Sequence, residues 1–274
     1  MYLCICGKNA LKHRVDQKNI GHDGFEQFPE NLMLAKQPSE LLEAMSASDV
    51  DRVKQLVDAG ADVNLGDGHD TPLGGCIGKT WDKADDQQLA DAAQLEIIDY
   101  LLKHGADPNL PAYGGHTPVS LMAFHARPAA MQRLIKGGGD PNRAHPKTGE
   151  TPLHSATGKG WNPDSTECVK LLLDAGADPN FQAADGVETD NFWRDICVVG
   201  ETPLHRAAAY GDEQMIRLLV EAGADPSLKD SRGESALTWF SRHQRDKPLI
   251  RVDTKAMVHL GYGRWTQTLK AFDR

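Results

Sequence analysis

Between Glu213 and Ala222 the apolar residues Met215, Ile216, Leu218 and Leu219 fall at helical spacing, with polar residues between them. The stretches "VKQLVDAGADVN" and "VKLLLDAGADPN" carry the same rhythm, and each apolar stripe stops at a glycine, a residue suited to closing a helix. A shorter helix is predicted upstream, from Thr202 to Gly211. Its narrow apolar face is Leu204, Ala207 and Ala208, and the alanines allow close approach of a neighbouring helix. Thr202 suits the N-cap, Pro203 suits the first helical position, and Gly211 ends the run. Asp225-Pro226 then turns the chain into a hairpin. A lone pair of such helices cannot bury its apolar face, so stacked copies are expected.

The copies are present. Thr-Pro dipeptides begin at Thr71, Thr117, Thr151 and Thr202, with a degenerate "SAL" at Ser235, in steps of 46, 34, 51 and 33. A Gly-Ala-Asp marker or near relative begins at Gly60, Gly105, Gly138, Gly176 and Gly223, in steps of 45, 33, 38 and 47. A unit of 33 residues with insertions accounts for both series. The texts "GETPLHSA", "GETPLHRAAAYG", "VKLLLDAGADPN" and "IRLLVEAGADPS" carry a resemblance to the ankyrin repeat. That resemblance implies an all-α solenoid of paired helices joined by short β-hairpin fingers.

Six units are expected, at 39–65, 66–110, 111–143, 144–181, 182–228 and 229–263. Residues 1–38 read as an irregular N-terminal segment and 264–274 as a tail. Insertions fall in units two and four, between the paired helices, in "IGKTWDKADDQQLADAAQ" and "GKGWNPDSTE". A third, "DGVETDNFWRDICVVG", enlarges the finger before unit five. Each carries one tryptophan, Trp81, Trp161 and Trp193. Trp81 and Trp161 read as lids on their own loops, whereas Trp193 sits on a finger, where this family binds its partners.

Two columns of residues run along such an array. The residue before the Thr slot reads Asp70, His116, Glu150, Glu201 and Glu234. Its glutamates are predicted to point from the finger bases into the groove, either as a strip awaiting Lys or Arg or as soluble residues that favour the helix N-terminus. The residue after the "TPLH" slot reads Gly75, Leu121, Ser155, Arg206 and Trp239, mixed as a specific contact surface would be, though Trp239 also fits the core of the end unit. The expected partner-binding residues are Tyr113, Glu150, Phe192, Trp193, Arg194, Glu201, Arg206 and Tyr210. His154 and His205 are assigned to hydrogen bonds between adjacent loops, the role the resemblance implies for that slot.

The net charge of −9 disfavours a phosphate backbone as ligand and makes a basic protein partner plausible. The five cysteines, odd in number and irregular in spacing, argue against a disulfide framework and for a reducing compartment. Cys4 and Cys6 stand too close for the usual zinc pairing, so no metal is expected. "LGGCIGKT" misses the phosphate-loop pattern at Leu73 and lies where Thr71-Pro72 has already begun a helix. No basic region precedes the short apolar run at the start, and no window approaches 18 apolar residues. The expectation is a cytoplasmic, monomeric, non-catalytic scaffold without cofactor, which binds another protein and neither nucleic acid nor membrane. An inhibitor or immunity-type protein that blocks a basic enzyme or toxin is the alternative, and an enzyme built on the insertions a third.

Overall fold

The computed structural model describes residues 40–66, 70–76, 87–158, 162–188 and 197–245. For residues 87–91, 113, 188, 197 and 242–245 it describes the backbone alone. Trp81, Trp161 and Trp193, with the terminal segments, lie outside the described residues.

Helices follow one another in antiparallel pairs. They are α1 (Glu40–Ser46) with α2 (Val50–Asp58), α3 (Pro72–Gly75) with α4 (Gln87–Lys103), and α5 (Pro118–Phe124) with α6 (Pro128–Lys136). Then come α7 (Pro152–Ala156) with α8 (Pro163–Asp174), α9 (Pro203–Tyr210) with α10 (Glu213–Glu221), and α11 (Ala236–Arg245). First helices pack on first helices, α5 on α7 and α9 on α11, while α4, α6, α8 and α10 form the second row. One apolar core runs the length of the stack, from Leu41 and Val53 through Ile98, Met131 and Leu172 to Leu219 and Phe240. This continuous burial stabilises pairs that would be marginal alone.

The ends of these helices follow the local chemistry. Thr71 and Thr117 accept from the N–H groups of Gly74 and Ser120, and prolines occupy the first position of α3, α5, α7 and α9. Gly211 ends α9. Each complete second helix closes in the same way. After α10, Gly223 N–H bonds Val220 O and Ala224 N–H bonds Leu219 O, with Gly223 at φ +96°. This left-handed closure favours glycine because a side chain there is strained.

Parts of two runs expected between paired helices are themselves helical. Residues 87–94 form the first half of α4, and Pro163 to Glu167 form the start of α8. Asn162 explains the second case, since its side chain accepts from Asp164 N–H at 3.0 Å and Pro163 needs no partner.

Two hydrogen-bond systems join consecutive units. In the first, an asparagine beyond each second helix grips the next unit with both ends of its amide. Asn109 Nδ2 donates to Gly138 O at 2.9 Å and its Oδ1 accepts from Asp140 N–H at 2.7 Å. Asn64, Asn142 and Asn180 repeat this pattern. The series stops at Ser227, whose hydroxyl turns back onto Asp225 at 2.6 Å. The second system lies beneath the fingers.

Candidate functional site

The enlarged finger before α9 is a hairpin at its base. Strand β1 (Asp185–Glu188) pairs antiparallel with β2 (Cys197–Val199), with a bulge between Asp185 and Val187. Its lower end is tied to the preceding finger, where Ala184 N–H bonds Thr148 O at 2.8 Å, closes on itself, and is tied to the following finger. Gly200 N–H bonds Ala184 O at 2.9 Å, Ser231 N–H bonds Val199 O at 2.8 Å, and Ser231 Oγ donates to Asp185 at 2.6 Å. Val199 also packs with Ala209, Tyr210 and Trp239 in a small second core. Trp239 is therefore core of the end unit, with Nε1–H donated to Asp230 Oδ2 at 3.0 Å.

Glu150 and Glu201 do not form an open acidic strip. They are 2% and 3% exposed, and Arg206, at 3%, lies between them. Arg206 Nη1 stands 2.7 Å from Glu150 Oε1, and its Nε donates to Glu201 Oε1 at 2.9 Å, with Nη2 on the same oxygen. The outer carboxylate oxygens are also held. Thr148 Oγ1 donates to Glu150 Oε2 at 2.7 Å and Val199 N–H to Glu201 Oε2 at 2.8 Å. The cation this column was expected to await is supplied by the chain itself, since a buried carboxylate needs a charge partner wherever it comes from. Leu121 and Ser155, in the same column as Arg206 and Trp239, are buried too, so this column is a seam between first helices.

Burial pushes the Glu201 carboxyl up, but the Arg206 charge and the Val199 N–H outweigh it and hold it below the ordinary carboxylate range. Burial likewise disfavours the Arg206 cation, and Glu201 and Glu150 more than compensate.

His154 and His205 bridge units as the sequence suggested. His154 Nε2–H donates to Glu201 O at 3.1 Å, so Nδ1 accepts from Thr151 N–H at 3.1 Å. His205 does the same between Glu234 O, at 3.0 Å, and Thr202 N–H, at 3.2 Å. Burial, then the nearby Arg206 charge, lowers the His154 pKa to about 4. Burial lowers that of His205 as well. Neither ring presents a free nitrogen for metal or acid–base work. Burial also pushes the Cys168 thiol up to about 12, far from a reactive thiolate.

Of the residues expected to meet a partner, Glu150, Glu201 and Arg206 come together, but inside the chain. Tyr210 is 8% exposed and packs under the finger. Phe192, Trp193 and Arg194 lie outside the described residues, and so does the side chain of Tyr113. The exposed acids lie elsewhere. Asp62, Asp107, Asp140, Asp178 and Asp225 occupy equivalent turns of successive units and form a row along one edge. The Gly-Ala-Asp marker carried that signal. A cleft of about 480 Å³ opens between two fingers, lined by Pro111, Thr117, Asp140, Asn142, Arg143 and Pro146. Among the described residues, no helix is long and apolar enough to cross a membrane.

Known proteins match this architecture. A family model described as ankyrin repeats in three copies matches residues 88–183, and a single ankyrin repeat matches 199–231. Human ankyrin repeat and SOCS box protein 16 is 36% identical over 138 residues, which is 50% of this chain and 26% of that protein. The chain thus spans about a quarter of that relative. Rat cyclin-dependent kinase 4 inhibitor B is 35% identical over 95 residues, covering 34% of this chain and 69% of the inhibitor. The crystal structure of the human ASB11 ankyrin repeat domain shares the fold, with a TM-score of 0.58 at 24% identity over 81% of this chain and 82% of that one. Repeats of this kind serve generally as protein-interaction scaffolds. With paired helices capped by Thr-Pro and Gly, histidines tying adjacent loops, and these relatives, the chain belongs to the ankyrin repeat family.

Proposed function

We propose that this chain is a non-catalytic scaffold that binds a protein partner across a concave groove, with the enlarged finger as its main contact. The observation that carries the reading is the anchoring of that finger. Val199 and Asp185 are tied to Ser231 of the following unit and Ala184 to Thr148 of the preceding one, so its base is preorganised and little ordering entropy is lost on association. Above that base the sequence places Phe192, Trp193 and Arg194, residue types suited to desolvated anchors. Glu150, Glu201 and Arg206 then act by fixing the finger base. The row of exposed aspartates supports a basic partner, which it would steer toward the array.

The similarity to a kinase inhibitor over most of that inhibitor's length favours a second, narrower reading, in which the chain blocks an enzyme by occupying its surface. Affinity capture with the full chain, beside a Phe192→Ala/Trp193→Ala variant, tests the first. A protein held by the wild type and lost by the variant supports it, and equal capture by both refutes it. If the captured protein is an enzyme whose activity falls on adding the chain, the inhibitor reading stands.

A further inference from the structure

At one slot, three residues after the ladder position, the finger at 143–149 and its counterpart in the last unit use different acceptors. There the last unit has Asp230, and this finger has His145. Asp230 Oδ1 accepts from the N–H groups of Arg232 at 3.0 Å and Glu234 at 2.8 Å, and so shapes its turn. His145 does the same work with an imidazole. Its Nδ1 accepts from Lys147 N–H at 3.2 Å and Thr148 N–H at 3.1 Å. Its other nitrogen, Nε2, donates to Gly114 O of the preceding finger at 2.6 Å. The ring also lies on His116, with centroids 4.6 Å apart. One side chain therefore shapes its own turn and ties it to the preceding finger, beside the cleft lined by Gly115, Ala144 and Pro146.

The two acceptors differ in one property. A carboxylate keeps its lone pairs down to strongly acidic pH, whereas an imidazole titrates in the physiological range. A proton on Nδ1 removes the lone pair and points a third donor at two N–H groups. The charged groups on the surrounding elements are Arg143 and Lys147 on the same finger, Glu150 behind it and Asp185 on the next finger. The Glu150 carboxylate is engaged by Thr148 and Arg206, and Asp185 by Ser231.

We propose that the finger 143–149 is an acid-responsive turn, held in shape only while His145 Nδ1 is free to accept, whereas the Nε2–H bond to Gly114 O persists in the protonated ring. Acid releases the turn at Lys147 and Thr148 and loosens the cleft beside it, while the Asp230 turn holds.

Amide exchange by NMR on the full chain, corrected for intrinsic rates between about pH 7.5 and about pH 5, tests this. The buried Thr148 amide is expected to lose about tenfold in protection on acidification, as the loss of one hydrogen bond allows. Glu234 should keep its protection. His145→Asp, which installs the acceptor used by the last unit, should abolish the loss at Thr148. His145→Asn, also an acceptor that does not titrate, serves if the first variant folds poorly. Constant protection at Thr148, an equal loss at Glu234, or an unchanged loss in the variants overturns the proposal.

Discussion

Arg206 Nη1 lies 2.7 Å from Glu150 Oε1, a carboxylate of the preceding helix pair, and the two side chains are 3% and 1% exposed. One guanidinium on α9 thus serves two carboxylates on two finger bases. Removing it would leave both buried anions without their cation, a costly state. Arg206→Met should cost about 3–5 kcal/mol in urea unfolding. Adding Glu150→Gln and Glu201→Gln to it should restore much of the loss. A cost within about 1 kcal/mol for the single change would mean that the charges are hydrated rather than paired.

Acid should destabilise the stack through its histidines. The folded pKa of His154 is lowered to about 4, against an unfolded value near 6.5. That of His205 is lowered in the same direction. Between these values the unfolded chain binds protons that the folded chain refuses. The contribution is therefore complete above about pH 6.5 and is lost as pH falls toward about 4. For His154 it is on the order of 3 kcal/mol. Melting curves across that window should show the decline, and His154→Gln should flatten it while lowering stability at neutral pH.

The asparagine ladder should carry measurable coupling between units. Asn109→Ala removes the bonds to Gly138 O and from Asp140 N–H, and should cost about 1–2 kcal/mol in thermal or urea melts. Asn109→Asp, which keeps an acceptor but loses the donor, should fall between wild type and alanine.

The end unit depends on Trp239. Trp239→Phe retains the packing on Val199 and Tyr210 but leaves Asp230 Oδ2 without its indole partner, and should cost about 1 kcal/mol. Trp239→Ala should cost about 3–5 kcal/mol and loosen the base of the enlarged finger. Proteolysis near β2 would report that loosening.

Much of the fold was legible because its signals are local. A Thr-Pro start needs only a free helix N–H, and a glycine stop needs only a left-handed turn, so both appear in one line of text. The helical starts at Gln87 and Pro163 were less visible, because a helix that extends into an insertion has no unit of its own to betray it. The inward turn of Glu150 and Glu201 was hidden for another reason. Glutamate is used on exposed and paired buried sites alike, and only its partner decides. The available signal was Arg206, opposite in charge and close to the glutamate column of its own unit. His145 carried a similar signal, standing where the last unit has Asp230.

The ladder also has a direction. Asn64, Asn109, Asn142 and Asn180 each clasp the unit that follows, whereas Ser227 folds its hydroxyl onto its own turn. A duplicated unit spliced between two of the internal ones would find a fastening waiting on both flanks. One appended after Ser227 would meet a seam with no clasp. Lengthening of this protein, by recombination or by design, is thereby channelled into its middle.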